Sequence, residues 1–168
     1  MTCVLTMRST SKRLALMILV VASQIGCKSK WLTVTSDSMY PTLQQGQRIK
    51  VVKRSTLTHF DIVIFQPPTL PEEQWLGRVL ALDNDLLHAS NNVLYLNGTS
   101  VAQRVGHPDL TFSASVTNTL AIMPPLSPLQ VPNGHVFVAG DNCDVAYDSR
   151  FFGPIEQTRI FGVVVDVR

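Results

Sequence analysis

Short apolar runs separated by turn residues make up most of the chain after residue 30. They are rich in β-branched and aliphatic side chains and are bounded by Gly, Pro, Asn and Asp, a pattern typical of β-strands. They predict strands at residues 48–52, 62–65, 76–82, 93–96, 136–139 and 160–167. The pairs Asn91-Asn92 and Asn97-Gly98 predict tight turns on either side of one of these strands. No long helical period competes with these runs, so the sequence predicts a mainly β domain over residues 31–168.

Residues 99–133 depart from this pattern. The segment is rich in Ser, Thr and Pro, contains Pro124, Pro125 and Pro128, and carries no charged residue after Asp109. Such a stretch between strand-forming runs is typical of a long surface connection. We therefore expect a small inserted cap region on the β-sheet domain.

The N-terminus places a basic flank before an apolar run. Arg8, Lys12 and Arg13 precede residues 14–25, which are almost all apolar or small. This order is the pattern of a signal peptide or a signal anchor. Extended to Cys27, the run would be about 21 Å long as a helix at ~1.5 Å per residue, which is shorter than a ~30 Å hydrocarbon core.

Residues 1–30 therefore have several interpretations. The one we adopt is a retained, short single-pass membrane helix, with residues 31–168 on the non-cytoplasmic side, either periplasmic or extracellular. A cleaved signal sequence and a buried core helix are the alternatives. Gly26-Cys27 also fits the end of a lipoprotein signal, with Cys27 lipidated, although Gln24 and Ile25 match the usual residues before such a cysteine poorly.

Composition narrows the function classes. The chain has 168 residues, of which 45% are hydrophobic, which allows one globular domain and an anchor but not two full domains. A net charge of +2 and a charged fraction of 15% give no broad basic field, which argues against nucleic acid as a partner. The three cysteines lack metal-ligand spacing, so the sequence predicts neither a metal nor a cofactor.

Two segments contain the residue types that serine chemistry requires: residues 36–43 (SDSMYPTL) and residues 140–153 (GDNCDVAYDSRFFG). A serine hydroxyl is a weak nucleophile that needs an adjacent base and hydrogen-bond donors for the developing oxyanion. By itself the first segment is equally compatible with an ordinary turn, because Ser, Asp and Pro favour turns. The second segment is longer, and the family motif that it resembles, described next, decides in favour of serine chemistry.

Together these segments resemble bacterial type I signal peptidases (peptidase family S26), membrane-anchored endopeptidases in which a serine attacks the scissile carbonyl and a buried lysine takes its proton. Residues 59–65 (HFDIVIF) and 75–85 (WLGRVLALDND) resemble two further segments of that family, with Phe60 where glycine is common. The resemblance covers residues 35–165 apart from the insertion, and it implies a signal-peptidase-like β-sheet catalytic domain.

The resemblance implies a role for each matching residue. Ser38 would be the nucleophile, and the Ser36 hydroxyl and the Ser38 backbone N–H would form the oxyanion hole. Asp148 and Arg150 would form an ion pair that supports the site. The remaining positions implied to support the active site are Asp141, Asp144 and Ala146.

Two positions depart from the family pattern. Gly77 precedes Arg78 where the family has its lysine, and Ala146 stands where a serine usually hydrogen-bonds the lysine amine. No lysine follows Lys53, and none of the four histidines aligns with the lysine position. Arg78 cannot replace the base, because a guanidinium stays protonated in proteins. Lys50 and Lys53 are predicted on an edge or exposed strand.

These departures leave two functions open. One is a signal peptidase I-like serine endopeptidase that cleaves signal or related exported peptides with an unidentified or impaired general base. The alternative is a catalytically inactive, peptidase-like protein that binds extended peptides in surface-fibre assembly or secretion. Both imply an exported pre-protein or peptide as partner and membrane lipid around the N-terminal segment. A self-cleaving Ser-Lys repressor shares the Asp-Ser-Met triplet but not residues 140–153.

Residues 14–27 are predicted to hold the protein at a membrane with the β-domain outside. We expect cell fractionation to recover the full-length chain with membranes, and protease added from the outer face to degrade residues 31–168. A soluble chain that is shielded from protease in the cytoplasm would contradict this expectation.

Overall fold

The computed structural model describes residues 29–90, 93–101 and 128–168. Those residues form eleven strands, one short helix α1 (Ser149–Phe152) and one 3-10 turn (Gln157–Arg159). In chain order the strands are β1 (Ser29–Thr33), β2 (Arg48–Val52), β3 (Ile62–Phe65), β4 (Trp75–Ala81), β5 (Leu86–Ser90), β6 (Val93–Leu96), β7 (Thr99–Ser100), β8 (Leu129–Gln130), β9 (His135–Ala139), β10 (Ile155–Glu156) and β11 (Ile160–Val167).

The strands form two antiparallel sheets. The larger sheet has seven strands in the order β1-β2-β11-β3-β4-β9-β10, and the smaller has four in the order β7-β6-β5-β8. Strand β4 lies between β3 and β9, with Gly77 opposite Val63 and Arg78 opposite Ala139. The segment that resembles the lysine-bearing strand therefore lies inside the large sheet.

The two faces of the large sheet are covered by different segments. On one face, Val34, Met39 and Leu43 from the loop after β1 pack against Ile49 and Ile64. This loop contains both candidate serines. Because successive side chains of a strand point to opposite sides, the apolar residues on the other face form a separate core.

That second core contains Val63, Phe65 and Val79, covered by Ile155 and Phe152.

A third apolar cluster joins the two sheets. It combines Leu80 and Phe137 of the large sheet with Leu87, Leu96 and Val131. The small sheet is therefore held to the large one by continuous apolar packing.

The structure agrees closely with the strands predicted from the apolar runs. The boundaries of β2, β3, β6 and β11 are those predicted, and β4 and β9 differ by one residue. Asn97 and Gly98 both have positive φ, 49° and 79°, as a type I′ hairpin turn requires. Strands β1, β5, β7, β8 and β10 were not predicted as elements, and Asn91-Asn92 lies outside the described residues.

One prediction about strand position was wrong in part. Lys50 and Lys53 were predicted on an edge or exposed strand, but β2, which carries Lys50, is not an edge strand, because it lies between β1 and β11 in the sheet. Its alternating pattern of one buried and one more exposed residue resembles that of an edge strand because one face of the sheet is open there. The sequence pattern of one strand therefore shows which of its side chains are buried, but not whether the strand has a neighbour on each side.

The predicted cap and anchor are only partly visible. At its two ends the segment 99–133 contributes β7 and β8 to the small sheet, while residues 102–127 lie outside the described part of the chain. The predicted membrane helix and Cys27 also lie outside it. Among the residues that are described, no helix is long and apolar enough to cross a membrane.

Candidate active site

The two candidate serines lie in the loop that follows β1. The Ser36 and Ser38 hydroxyl oxygens are 3.0 Å apart, with Ser36 exposed and Ser38 half-buried. Met39 and Leu43 next to them are 0% and 1% exposed. Burying a side chain of this size stabilises a fold by about 1.5–3 kcal/mol, so these two residues fix the loop that presents the serines.

The turn that begins at Gly140 holds this loop from the other side. The Asn142 backbone N–H donates to the Ser38 carbonyl at 3.0 Å, and the Asn142 side-chain amide donates to the Asp37 carbonyl at 3.0 Å. A Cβ at Gly140 would lie 2.6 Å from the Ser38 oxygen and 2.4 Å from the Ala146 Cβ. Only glycine therefore permits this approach. Asn142 positions the serine loop, a role that was not predicted from the sequence.

Asp148 and Arg150 form a buried ion pair at the start of helix α1. Asp148 caps the helix by accepting from the Arg150 backbone N–H at 3.0 Å, and it accepts from Arg150 Nε at 2.8 Å. Its second oxygen accepts from the Gly140 N–H at 2.8 Å. Burial opposes the charge on Arg150, but the hydrogen bonds and charge of Asp148 outweigh it and raise the pKa of Arg150 above its ordinary value.

Arg78 and Asp141 form a second buried pair. Arg78 donates to the two Asp141 carboxylate oxygens, from Nε at 2.9 Å and from Nη2 at 2.6 Å. It also donates to the Phe60 carbonyl at 3.0 Å, and Nη2 lies 3.4 Å from the Thr42 hydroxyl. Arg78 thus connects β4, the Gly140 turn and the serine loop. Arg78 and Asp141 could each be singled out from the sequence, but the contact between them could not.

Phe60 has φ of 70°, in the left-handed region that favours glycine. This explains why glycine is common there in the family that the sequence resembles. The Phe60 N–H donates to the Val79 carbonyl at 2.7 Å, and its side chain packs against the apolar cluster between the sheets. The packing of the ring offsets part of the backbone cost of a left-handed phenylalanine.

A cleft of about 540 Å³ opens at the serines. Its lining comes from four parts of the chain: the end of β1 and the serine loop, the floor formed by β2 and β3, the start of β4, and the turn after Gly140. The lining residues are Leu32, Thr33, Thr35, Ser36, Ser38, Ile49, Ile64, Glu73, Gln74, Trp75, Leu76, Gly140, Val145, Ala146, Tyr147 and Asp148.

The predicted site residues divide into two groups. Ser36, Ser38, Ala146 and Asp148 line the cleft together. The others do not line it: Arg150 and Asp141 are buried behind it in the two ion pairs, Asp144 is exposed in the turn, and Gly77 is buried in β4.

Space beside Gly77 is filled by an aromatic ring. A Cβ at Gly77 would lie 3.0 Å from Phe65 Cε1 and 3.5 Å from the Ala139 carbonyl oxygen. Phe65 is 1% exposed and contacts Trp75 and Phe152, with ring centroids 6.3 and 6.4 Å away.

Tyr147 contacts Trp75 and Phe152 at 6.1 and 5.8 Å. We call Phe65, Trp75, Tyr147 and Phe152 the aromatic cluster. It occupies the side of β4 on which a longer side chain at position 77 would start.

The other candidate bases lie away from the cleft. His59 Nε2 is 2.6 Å from Asp85, His88 stacks on Tyr95 at 4.8 Å, and His135 Nδ1 is 2.9 Å from the Asn133 carbonyl. Lys50 and Lys53 are also absent from its lining. The fourth histidine, His107, lies outside the described residues. Among the residues that the structure describes, the cleft lining contains only three titratable side chains, those of Glu73, Tyr147 and Asp148.

Cys143 is the remaining nucleophilic side chain near the site. Burial raises the pKa of its thiol, against the opposing effect of the Arg150 charge. A thiol with a raised pKa contains less thiolate at neutral pH and is a weaker nucleophile. Cys143 is therefore a weaker nucleophile than an ordinary exposed cysteine, and unlike Ser38 it does not line the cleft.

Comparison with known proteins identifies a family for this chain. The family described as signal peptidase, peptidase S26, matches residues 7–167. Signal peptidase I V from Bacillus subtilis strain 168 is 35% identical over 139 residues, covering 79% of this chain and 82% of the relative. Signal peptidase I from Bacillus caldolyticus is 31% identical over 137 residues, covering 78% and 74%.

Solved structures are similar as well. The crystal structure of a signal peptidase I from Enterococcus faecalis V583 matches 67% of this chain and 100% of that chain, at 25% identity and a TM-score of 0.49.

Asp148→Ala is expected to lower the melting temperature by about 10 °C. The change leaves the Arg150 charge buried without its partner, which costs roughly 3–5 kcal/mol, and each kcal/mol shifts the melting temperature by ~2–4 °C in a protein of this size. Asp166→Ala is the matched control, because the Asp166–Arg168 pair is exposed and 3.7 Å long. Thermal unfolding followed by circular dichroism would measure both. Equal melting of Asp148→Ala and the parent would show that the buried pair does not support the site.

Proposed function

Because the chain belongs to the signal peptidase family, peptidase S26, we propose that it acts on exported peptides as a serine endopeptidase whose general base is impaired. The observation that carries the proposal is the Ser36–Ser38 hydroxyl pair, 3.0 Å apart at the edge of a 540 Å³ cleft. The lining of the cleft includes the apolar side chains of Ile49, Ile64 and Leu76.

In this proposal Ser38 Oγ attacks the scissile carbonyl carbon. The Ser38 backbone N–H and the Ser36 hydroxyl donate hydrogen bonds to the oxyanion that forms. The Ser38 carbonyl is held by Asn142 at 3.0 Å, which fixes the orientation of the nucleophile loop before substrate arrives. The serine proton must leave during attack, and the supply of a group to accept it determines the rate.

The surroundings of Gly77 support the proposal of an impaired base. The family resemblance assigns the lysine to this position and a supporting serine to Ala146. No described lysine or histidine lines the cleft, and Phe65 fills the space beside Gly77. Removing a positioned general base typically slows a reaction by ~10²–10⁴, and where base and nucleophile act as one unit by up to ~10⁶. Cleavage by the wild-type protein is therefore slow.

A second function is favoured by the aromatic cluster. Phe65 packs beside Gly77, where the family resemblance places the lysine, and Trp75 and Tyr147 line the cleft as contact surface for a peptide. In this alternative the protein captures an extended peptide by pairing it with exposed backbone, and it acts in secretion or surface-fibre assembly without hydrolysis. Slow hydrolysis and capture share one binding step and differ only in whether Ser38 reacts.

The location of the proposed activity follows from the N-terminal segment. Residues 14–27 would anchor the chain in a membrane, and the β-domain would meet its substrate on the non-cytoplasmic side. Exported pre-proteins become accessible at that surface as they leave the membrane.

A serine-directed acylating lactam or penem tests the proposed chemistry without knowledge of the substrate. We expect slow covalent labelling of the full-length protein at Ser38, seen as an adduct by mass spectrometry, and no labelling of Ser38→Ala. Labelling at Cys143, or labelling that persists in Ser38→Ala, would contradict Ser38 as the nucleophile. Peptide binding with no adduct at any time would favour the capture function.

Restoring the missing groups is expected to raise cleavage of a model signal peptide by a factor of ~10² or more. The variant is Gly77→Lys combined with Ala146→Ser. The apolar surroundings of β4 would lower the pKa of the introduced lysine, as a lysine base requires. Phe65 must move by a few tenths of an ångström to admit the new side chain, because its Cε1 atom is 3.0 Å from the position of the Cβ.

Gly77→Met with Ala146→Ser is the matched control, because methionine has a similar length and no basic group. It should fold like the lysine variant and cleave no faster than wild type. Adding Ser38→Ala to the lysine variant should abolish cleavage. Wild-type cleavage at ordinary family rates that disappears on replacing a histidine, Lys50 or Lys53 would show that the base lies elsewhere.

A further inference from the structure

We propose that Glu73 forms a subsite for a lysine or arginine side chain of the peptide bound in the cleft. The inference rests on the proposed function, since it specifies the substrate of the same site. It concerns which peptides are selected and does not depend on whether Ser38 cleaves them.

The Glu73 carboxylate is held in place at the cleft. Glu73 follows a turn in which its N–H donates to the Leu70 carbonyl at 3.0 Å, and it lies two residues before β4. The Trp75 indole N–H donates to Glu73 Oε2 at 2.7 Å. Within the described part of the chain, Oε1 has no hydrogen-bond partner, so it is available to a ligand. A carboxylate fixed through one oxygen loses less freedom on binding than a fully solvated one.

Glu73 also determines the net charge of the lining. Asp148 is the other acidic lining residue, and its charge is compensated by Arg150. No Lys, Arg or His from the described residues lines the cleft. A carboxylate only accepts hydrogen bonds, and its strongest partners are cationic donors. An ammonium or guanidinium group is therefore the ligand chemistry that fits this end of the cleft.

An exposed aromatic ring lies near the same carboxylate. Tyr147 is 44% exposed, lines the cleft and contacts the Trp75 ring edge-on at 6.1 Å. Aromatic faces attract cations, and they also pack against the methylene stem of a lysine or arginine. Glu73, Trp75 and Tyr147 together thus present the two surfaces that a long basic side chain uses.

Peptide binding to the full-length Ser38→Ala protein tests the subsite independently of cleavage. The probes are synthetic signal-peptide segments in which one lysine is moved through successive positions, with norleucine as the uncharged counterpart of equal length. We expect one position at which lysine binds about two- to fivefold more tightly than norleucine, as for an exposed ion pair. The preference should decrease as salt concentration rises.

Glu73→Gln should remove this preference, so that the lysine and norleucine peptides bind this variant with equal affinity. Glu72→Gln is the matched control, because Glu72 is exposed, adjacent and absent from the cleft lining. A lysine preference that survives in Glu73→Gln, or that is lost equally in Glu72→Gln, would overturn the proposal. Binding of all peptides with no preference would overturn the subsite alone, whereas no binding by any peptide would overturn the proposed function as well.

Discussion

The close approach of Gly140 to the Ser38 carbonyl is the constraint on which the site depends. The absence of a side chain at Gly140 lets the turn after β9 come within hydrogen-bond distance of the serine loop, where Asn142 donates to two of its carbonyls. Met39 and Leu43 press the same loop onto the sheet from its other side. The nucleophile is therefore positioned by backbone contacts and apolar packing, neither of which requires a base to be present.

The two buried ion pairs have different structural roles. The Asp148–Arg150 pair is local, and helix α1 begins between its two residues. Asp148 also stabilises the Gly140 turn by accepting a hydrogen bond from the Gly140 N–H. Arg78–Asp141 is long-range and connects the middle strand β4 to that turn. Burying such pairs brings little net stability, but removing one partner is costly because an uncompensated charge remains. The site therefore depends on all four charges being present.

The sequence predicted elements whose cause is local. Short apolar runs define β2, β3, β6 and β11, and Asn97-Gly98 supplies the two positive φ angles of its turn. Contacts between distant segments could not be predicted in this way. Arg78 and Asp141 are 63 positions apart, and their pairing depends on strand order and register, which single-strand patterns do not encode. Likewise, Gly77 could be identified as unusual, but the ring that fills its space comes from a neighbouring strand.

The aromatic packing beside Gly77 makes two distant positions depend on each other. A side chain introduced at position 77 requires the buried Phe65 ring to shift by a few tenths of an ångström. A lysine introduced in that step would still lack a hydroxyl at position 146 to orient its amine. A change at position 77 alone would therefore strain the packing without supplying an oriented base. Substitutions in two separate segments, one in β4 and one in the turn after Gly140, would be needed together before either could assist Ser38.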